Sequence, residues 1–207
     1  MIRQLVLKDM MLQRKLGFAY LICLFFLAIV DFSSDSFLTT FSMFIPVLGM
    51  MLSMSYENKN KSEMLVNSLP FQRKEIVIAK YIFVSILVVL GGIFSLVVGL
   101  IQLQNEHITV FMLWGAILGG ITGGFVYSII VLPIEFSVGY SSAKQIAPFA
   151  GLALGYLSGV IVSNVWLDVE NVWSTSLVVN VCFIAGLHLL YIMSMLFSIN
   201  LYSERDL

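Results

Sequence analysis

The stretch Tyr56–Lys80, with the sequence YENKNKSEMLVNSLPFQRKEIVIAK, is the only long polar interval inside this chain. Apolar segments of membrane length lie on both sides of it, Phe37–Ser55 before and Tyr81–Leu103 after. A polar interval between two such segments is the largest surface that the chain offers to a soluble partner. The interval therefore organises both the expected fold and the search for a function.

The composition is that of an integral membrane protein. The 207 residues are 59% hydrophobic and 11% charged, and the mean hydropathy of +0.98 is far above that of soluble domains. Unbroken apolar runs such as Ile82–Ile101 match the roughly 20 residues of a membrane-spanning helix, whereas the strands of a β-barrel alternate in polarity. The basic residues form no single tract, which argues against nucleic acid as a partner. The predicted class is an all-α membrane protein.

Hydropathy predicts six transmembrane helices. Before the first of them, Met1–Lys15 places Ile2, Leu5 and Met10 at helical spacing, which favours an interfacial helix along the headgroups over a solvated tail. Pro46 is expected to kink the second span, because it removes a backbone donor. Spans 1 to 6 are placed at Leu16–Val30, Phe37–Ser55, Tyr81–Leu103, Thr109–Leu132, Ile146–Leu167 and Ser176–Leu196.

The distribution of charge predicts the orientation. With an even number of spans both termini lie on one side, and the segments on that side carry all 11 Lys and Arg residues. By the positive-inside rule this side is cytoplasmic. The opposite connections carry only acidic charges, and three tryptophans fall at predicted outer ends, as in an interfacial aromatic belt: Trp114, Trp166 and Trp173.

The polar interval itself has a helical pattern. Ser62 is a suitable N-cap for a short helix that ends at Pro70. The apolar side of this helix, Met64, Leu65 and Leu69, could dock in a groove on a soluble protein. The alternative is a solvated loop whose lysines only set the topology. A new helix is expected to open at Gln72-Arg73-Lys74-Glu75 and to continue into the membrane.

Glycines recur at intervals of four in span 5, at Gly151, Gly155 and Gly159. Small residues at this spacing allow two helices in lipid to approach closely. The pattern predicts a helix contact and leaves open whether the contact lies within one chain or between two. Span 4 is also rich in glycine, at Gly115, Gly119, Gly120, Gly123 and Gly124.

Three polar residues of the spans are candidates for a transport pathway: His188, Asn180 and Glu135. Ionisable groups within a bilayer are costly and tend to face a cavity or a partner. The plainer interpretation of His188 is a neutral imidazole hydrogen-bonded to a neighbouring helix, and that of Glu135 is an interfacial pair with Lys144. Cys23 and Cys182 are interpreted as small buried side chains.

No pattern in the chain predicts catalysis, a metal site or a bound cofactor. The phosphate-binding sequence GxxxxGK[ST] is absent, so ATP hydrolysis by this chain is not expected. The two histidines, His107 and His188, form no cluster of zinc ligands. We therefore expect a function in transport or binding, and not an enzymatic one.

The polar interval resembles a known signature. The residues EMLVNSLPFQRKEIVIAKY, from Glu63 to Tyr81, are similar to the pattern E-x-L-x-x-S-L-P-x-x-R-x-x-I-v-x-x-K-y of type-2 ATP-binding-cassette (ABC) exporter permeases. The C-terminal sequence SINLYSERDL is similar to the usual ending of that family. The resemblance implies a single permease domain over 1–207. Met1–Lys15 would be its elbow helix, and 56–80 would be its coupling segment.

The same resemblance implies the partners. Two permease chains, identical or different, would combine in the bacterial cytoplasmic membrane with two ABC ATPase subunits, which bind the ATP and Mg²⁺. Similar compact permeases export amphipathic peptides such as phenol-soluble modulins, so the expected cargo is peptide or lipid-like. The glycine stripe of span 5 would then serve a permease dimer. The expected ATPase-coupling residues are Glu63, Met64, Leu65, Leu69, Pro70, Arg73, Lys74 and Glu75.

Two other classes of function compete with this one. A stand-alone carrier or channel would use His188 and Glu135 as a proton or ion relay and would need no ATPase. An intramembrane enzyme would pair Ser141 or Ser158 with His188 and would lose its product on a single Ser→Ala change.

Overall fold

The computed structural model describes residues 2–14, 35–60, 72–104, 109–139, 147–167 and 176–204. Every element in these ranges is an α-helix, which confirms the predicted all-α class. Span 1 and the helix expected at 62–70 lie outside the described residues. The helices are α1 (residues 2–14), α2 (Asp35–Lys59), α3 (Arg73–Gln104), α4 (Val110–Val138), α5 (Ala147–Leu167) and α6 (Leu177–Glu204).

Four of the described helices have the length and composition of a membrane crossing: α2, α3, α4 and α6. Among these four, α3 has the most hydrophobic apolar stretch. Helix α5 is 21 residues long, with a shorter apolar stretch, Gly151–Val162. The chain is therefore a multi-pass membrane protein.

Helix α3 begins where the sequence predicts, at the Gln72-Arg73-Lys74-Glu75 run. The backbone N–H of Gln72 donates to Glu75 Oε2 at 3.3 Å, so a carboxylate three residues into the helix satisfies a donor of its first turn. The helix then continues without interruption to Gln104. Its first two turns therefore rigidly extend the membrane span into the polar interval.

Helix α4 is the centre of the described bundle and contacts α2, α3, α5 and α6. Glycines on several faces of α4 make this possible. A Cβ on Gly124 would lie 3.1 Å from the Pro46 ring of α2 and 3.3 Å from Val88 of α3, and a Cβ on Gly120 would collide with Ser42 of α2. Neighbouring helices thus approach the α4 backbone directly.

The glycine stripe of α5 lies against α4 of the same chain. A Cβ on Gly155 would lie 2.8 Å from the Gly123 carbonyl oxygen, and a Cβ on Gly159 would lie 2.8 Å from that of Gly119. The contact is reciprocal, since a Cβ on Gly123 would lie 2.8 Å from the Gly155 oxygen. The stripe faces α4, so a dimer contact made by α5 would use another face of that helix.

Candidate functional site at the base of the polar interval

The polar interval leaves the bundle from the last turn of α2 and returns in the first two turns of α3. Of the expected coupling residues, Arg73, Lys74 and Glu75 lie in this returning end. The other five lie outside the described residues: Glu63, Met64, Leu65, Leu69 and Pro70. The structure therefore describes the two ends of the interval, where it joins α2 and α3, and we call these ends its base.

Arg73 joins the start of α3 to the end of α6. Its Nη1 donates to the carbonyl oxygens of Tyr202 at 3.2 Å and Ser203 at 3.0 Å. The last carbonyls of a helix have no partner within the helix and carry partial negative charge, so a guanidinium there both caps and stabilises α6. A residue expected to couple to an ATPase thus holds the C-terminal end of another helix.

Two lysines and two carboxylates form a closed ring beside this point, which we call the charge ring: Lys8, Asp9, Glu57 and Lys80. Lys80 Nζ lies 2.7 Å from Glu57 Oε2 and 3.7 Å from Asp9 Oδ2. Lys8 Nζ lies 2.8 Å from Glu57 Oε1 and 3.2 Å from Asp9 Oδ1. The signs alternate around the ring and its formal charges sum to zero.

The inner side of the charge ring is withdrawn from solvent. The side chains of Asp9 and Lys80 are 5% and 7% exposed, whereas that of Lys8 is 41% exposed. Lys80 also donates to Ser53 Oγ at 3.0 Å, one turn before Glu57 on α2. Ion pairs with this degree of burial are coupled far more strongly than surface pairs, because solvent screens them less.

Burial and the neighbouring charges of the ring together shift the pKa values of the two α1 residues. Burial raises the pKa of the Asp9 carboxyl above its usual value, against the opposing attraction of Lys80 and Lys8. Burial alone would lower the pKa of the Lys8 ammonium, but the Glu57 and Asp9 carboxylates outweigh it and the net shift is upward. Lys8 is thus held as a cation at neutral pH.

The sequence explains how these charges meet. Leu5 and Asp9 are one helical turn apart and both are buried, so Asp9 lies on the face of α1 that packs on the bundle. Glu57 and Lys80 lie near the two ends of the polar interval, on successive helices. The acidic residue on the apolar face of α1 is the sequence signal for this site, and the predicted coupling residues do not include it.

A chain of hydroxyl groups continues from the charge ring toward the membrane. Ser194 of α6 donates its proton to the Ile129 carbonyl oxygen of α4 at 3.1 Å. Tyr81 therefore donates to Ser194 Oγ at 2.9 Å and accepts from Ser198 Oγ at 2.8 Å. Tyr191 donates to the Tyr81 carbonyl oxygen at 2.8 Å. Tyr81, the residue after Lys80, is thus linked by hydrogen bonds to α6 and, through Ser194, to α4.

The substitution Tyr81→Phe should lower the free energy of unfolding by about 1–2 kcal/mol, since it removes the acceptor of the buried Ser198 hydroxyl and the donor to Ser194 Oγ. Tyr191→Phe is the matched control and should cost less, because the Tyr81 carbonyl still accepts from Ser85 Oγ at 3.0 Å. Unfolding in mixed detergent micelles measures both. Equal losses for the two variants would contradict the position of the Tyr81 hydroxyl between Ser194 and Ser198.

The three pathway candidates are in different environments. His188 is exposed on α6, with its ring 5.2 Å from that of Phe125. Its Nδ1 donates to the Ile184 carbonyl oxygen at 2.9 Å, one turn earlier on the same helix. The expected hydrogen bond to a neighbouring helix is therefore wrong, because the imidazole uses the second lone pair of a carbonyl oxygen on its own helix. Cys182, also on α6, is exposed, which corrects its interpretation as a buried residue.

Asn180 and Glu135 lie at opposite ends of the bundle. Asn180 Oδ1 accepts from Trp114 Nε1 at 3.4 Å near the first turns of α4 and α6. Glu135 lies in the last turn of α4, where its charge acts on Lys80. Lys144, the expected partner of Glu135, lies outside the described residues. Glu135 thus belongs to the surroundings of the charge ring, while Asn180 does not.

Comparison with known proteins places the whole chain in one family. The sequence profile described as "ABC-2 family transporter protein" matches residues 4–203. No curated protein and no solved structure matches the chain. The match extends from α1 to α6 and includes the polar interval between α2 and α3. The chain therefore belongs to the ABC-2 transporter family, and it is a membrane-embedded permease component of an ABC transporter.

Proposed function

We propose that this permease is the membrane subunit of an ATP-driven exporter and that a separate ABC ATPase binds it at the polar interval. The observation that carries the proposal is the set of contacts at the two ends of the interval, in the last turn of α2 and the first turns of α3. The interval stands on α2 and α3, and the first turns of α3 are tied to α1, α4 and α6 by side-chain contacts. A displacement of the interval is thereby transmitted to helices of the transmembrane bundle.

The proposed complex has two permease chains and two ATPase chains in the bacterial cytoplasmic membrane. Six spans per chain place both termini and the interval on the cytoplasmic side, in agreement with the location of all 11 Lys and Arg residues in the inner segments. In this proposal residues 62–70 serve as the coupling segment that contacts the ATPase, and α1 serves as the elbow helix. ATP and Mg²⁺ bind to the ATPase subunits, while this chain binds neither.

The mechanical step follows from the contacts of α3. A displacement of the interval moves Arg73, and Arg73 holds the final carbonyls of α6. Two turns further along, Tyr81 engages Ser194 and Ser198 on the same helix. Because α3 and α6 are joined at these two levels, α6 is expected to move with α3 as one body. A small movement at the interval can then change the contact between this helix bundle and that of the second permease chain, as in other rigid-body transitions.

An apolar groove between α2 and α5 supports a hydrophobic or amphipathic cargo. The groove encloses about 310 Å³ and is lined by side chains such as Met43, Phe44, Leu152 and Tyr156. Apolar and aromatic walls of this kind suit the side chains of an amphipathic peptide or the chain of a lipid. We infer such a cargo for the exporter.

The test is recovery of the ATPase with the tagged permease from its native membrane in mild detergent. The wild-type chain should bring with it a soluble protein that contains a phosphate-binding GxxxxGK[ST] loop. Leu65→Asp should lose that protein, because it puts a charge on the apolar side of the proposed coupling helix. Asn67→Asp is the control, since two residues rotate a helix by about 200° and place the same charge on the opposite face.

Mass spectrometry identifies the recovered proteins, and size-exclusion chromatography checks that each variant is folded. Retention of the ATPase by Leu65→Asp would contradict the proposed contact. Recovery of the folded permease without any ATPase, in every preparation, would contradict the exporter and favour a stand-alone carrier.

A further inference from the structure

We propose that the charge ring makes the N-terminal helix α1 part of the body that moves with the polar interval, with Lys8 and Asp9 as positioning residues. The inference rests on the proposed function and extends it. It assigns to α1 a mechanical role in coupling, in addition to any contact that this helix makes with lipid headgroups.

The ring connects three helices pairwise. Lys8 to Glu57 joins α1 to α2, Glu57 to Lys80 joins α2 to α3, and Lys80 to Asp9 joins α3 to α1. Each pair of helices therefore shares one ion pair, and no helix can shift relative to the other two without stretching two of them. A triangle of this kind fixes relative position in a way that a single ion pair does not.

The two ends of the polar interval meet in the same ring. Glu57 lies at the outgoing end and Lys80 at the returning end, and their contact at 2.7 Å closes the base of the interval. A force applied anywhere between them is therefore shared by α2 and α3. Since α1 is attached to both, the force reaches α1 as well.

Other contacts of α1 agree with this role. Leu5 is 7% exposed, and Met10 packs against the main hydrophobic cluster of the bundle. Gln13 Nε2 donates to the Gly49 carbonyl oxygen of α2 at 2.9 Å. The helix is thus anchored to the bundle along one side. Its opposite side is exposed at Arg3, Leu7 and Met11.

The charges of the ring allow a clean test. The double substitution Lys8→Met/Asp9→Asn removes both α1 members and leaves the Glu57–Lys80 pair, so no buried charge is left unpaired. Net charge is unchanged. A loss of positioning can therefore be separated from the large destabilisation that an uncompensated buried charge would cause.

The measurement is the distance between two spin labels, one on α1 and one at the start of α3. Gln4→Cys and Gln72→Cys serve as label sites, because both side chains are exposed and neither belongs to the expected coupling residues, and Cys23→Ala with Cys182→Ala provides the background. The permease is studied in lipid nanodiscs with its copurified ATPase, in the absence of nucleotide and after trapping with ATP and vanadate. Labelled chain is diluted with unlabelled chain to isolate intramolecular distances.

With the ring intact, the distance should be the same in both nucleotide states. In the Lys8→Met/Asp9→Asn variant it should change between the two states, with loss of the single narrow distribution. Arg3→Met, on the exposed side of α1, is the control and should behave as the wild-type ring. A distance that changes equally with and without the ring would overturn the inference, and so would a variant that keeps the constant distance while losing thermal stability.

The outcome is separable from that of the proposed function. If no ATPase accompanies the wild-type chain, the exporter proposal fails, while the width of the nucleotide-free distribution still tests the ring. A broader distribution in the double variant supports the positioning role, and an equally narrow one contradicts it.

Discussion

Lys80→Met should be among the most destabilising single substitutions in the described part of the chain. It leaves Asp9 and Glu57 with only Lys8 between them, so that one carboxylate charge is uncompensated in a site where Asp9 is 5% exposed. Breaking a buried ion pair by removal of one partner costs about 3–5 kcal/mol. We expect a loss of that size in the free energy of unfolding in mixed detergent micelles.

The ring geometry predicts a specific recovery. Adding Glu57→Gln to Lys80→Met leaves Lys8 paired with Asp9 at 3.2 Å and restores neutrality. The double variant should therefore be more stable than Lys80→Met alone, although it has lost one more native charge. Lys74→Met removes an exposed cation from the same helix and should change stability by less than about 0.5 kcal/mol. Additive losses at residues 57 and 80 would show that the ring does not act as a unit.

The sequence was sufficient for the all-α class and for the start of α3, and insufficient for the charge ring, for a physical reason. Hydropathy and the Gln72-Arg73-Lys74-Glu75 opening depend on neighbouring residues. Four described helices have the length and composition of a span, and α3 begins at the predicted residues. The ring depends on Asp9, Glu57 and Lys80, which lie far apart in the chain. By charge alone, Lys80 is one of 11 basic residues. Nothing in its local sequence distinguishes a buried, paired lysine from an exposed one.

Arg73 and His188 show the same limit at single side chains. The motif that contains Arg73 indicates a contact with a partner, yet the guanidinium reaches the end of α6, 129 residues later in the chain. For His188, the span was predicted and the hydrogen-bond partner was not, because a polar side chain in a helix can satisfy itself on the carbonyl four residues before it. Partner choice of this kind depends on the folded geometry of neighbouring groups.

The double substitution Gly155→Ala/Gly159→Ala should lower the free energy of unfolding by about 3 kcal/mol, at the upper end of the range for overpacking. Each new methyl group would lie 2.8 Å from a backbone carbonyl oxygen of α4. A backbone atom cannot turn aside as a flexible side chain can, so α5 must move away from α4 and lose packing along their contact.

One outward movement of α5 accommodates both methyl groups, so the double variant should cost less than the sum of the two single variants. Gly186→Ala on α6 is the matched control, because a Cβ there meets nothing within 4 Å. That change should be neutral or stabilise the helix by up to about 1 kcal/mol through the better helix propensity of alanine. Equal effects of Gly155→Ala and Gly186→Ala on the free energy of unfolding would contradict this explanation. Glycine at residue 155 would then not be required by the close approach of α4 and α5. A loss confined to the α5 variants would establish that the stripe holds the two helices of one permease chain together.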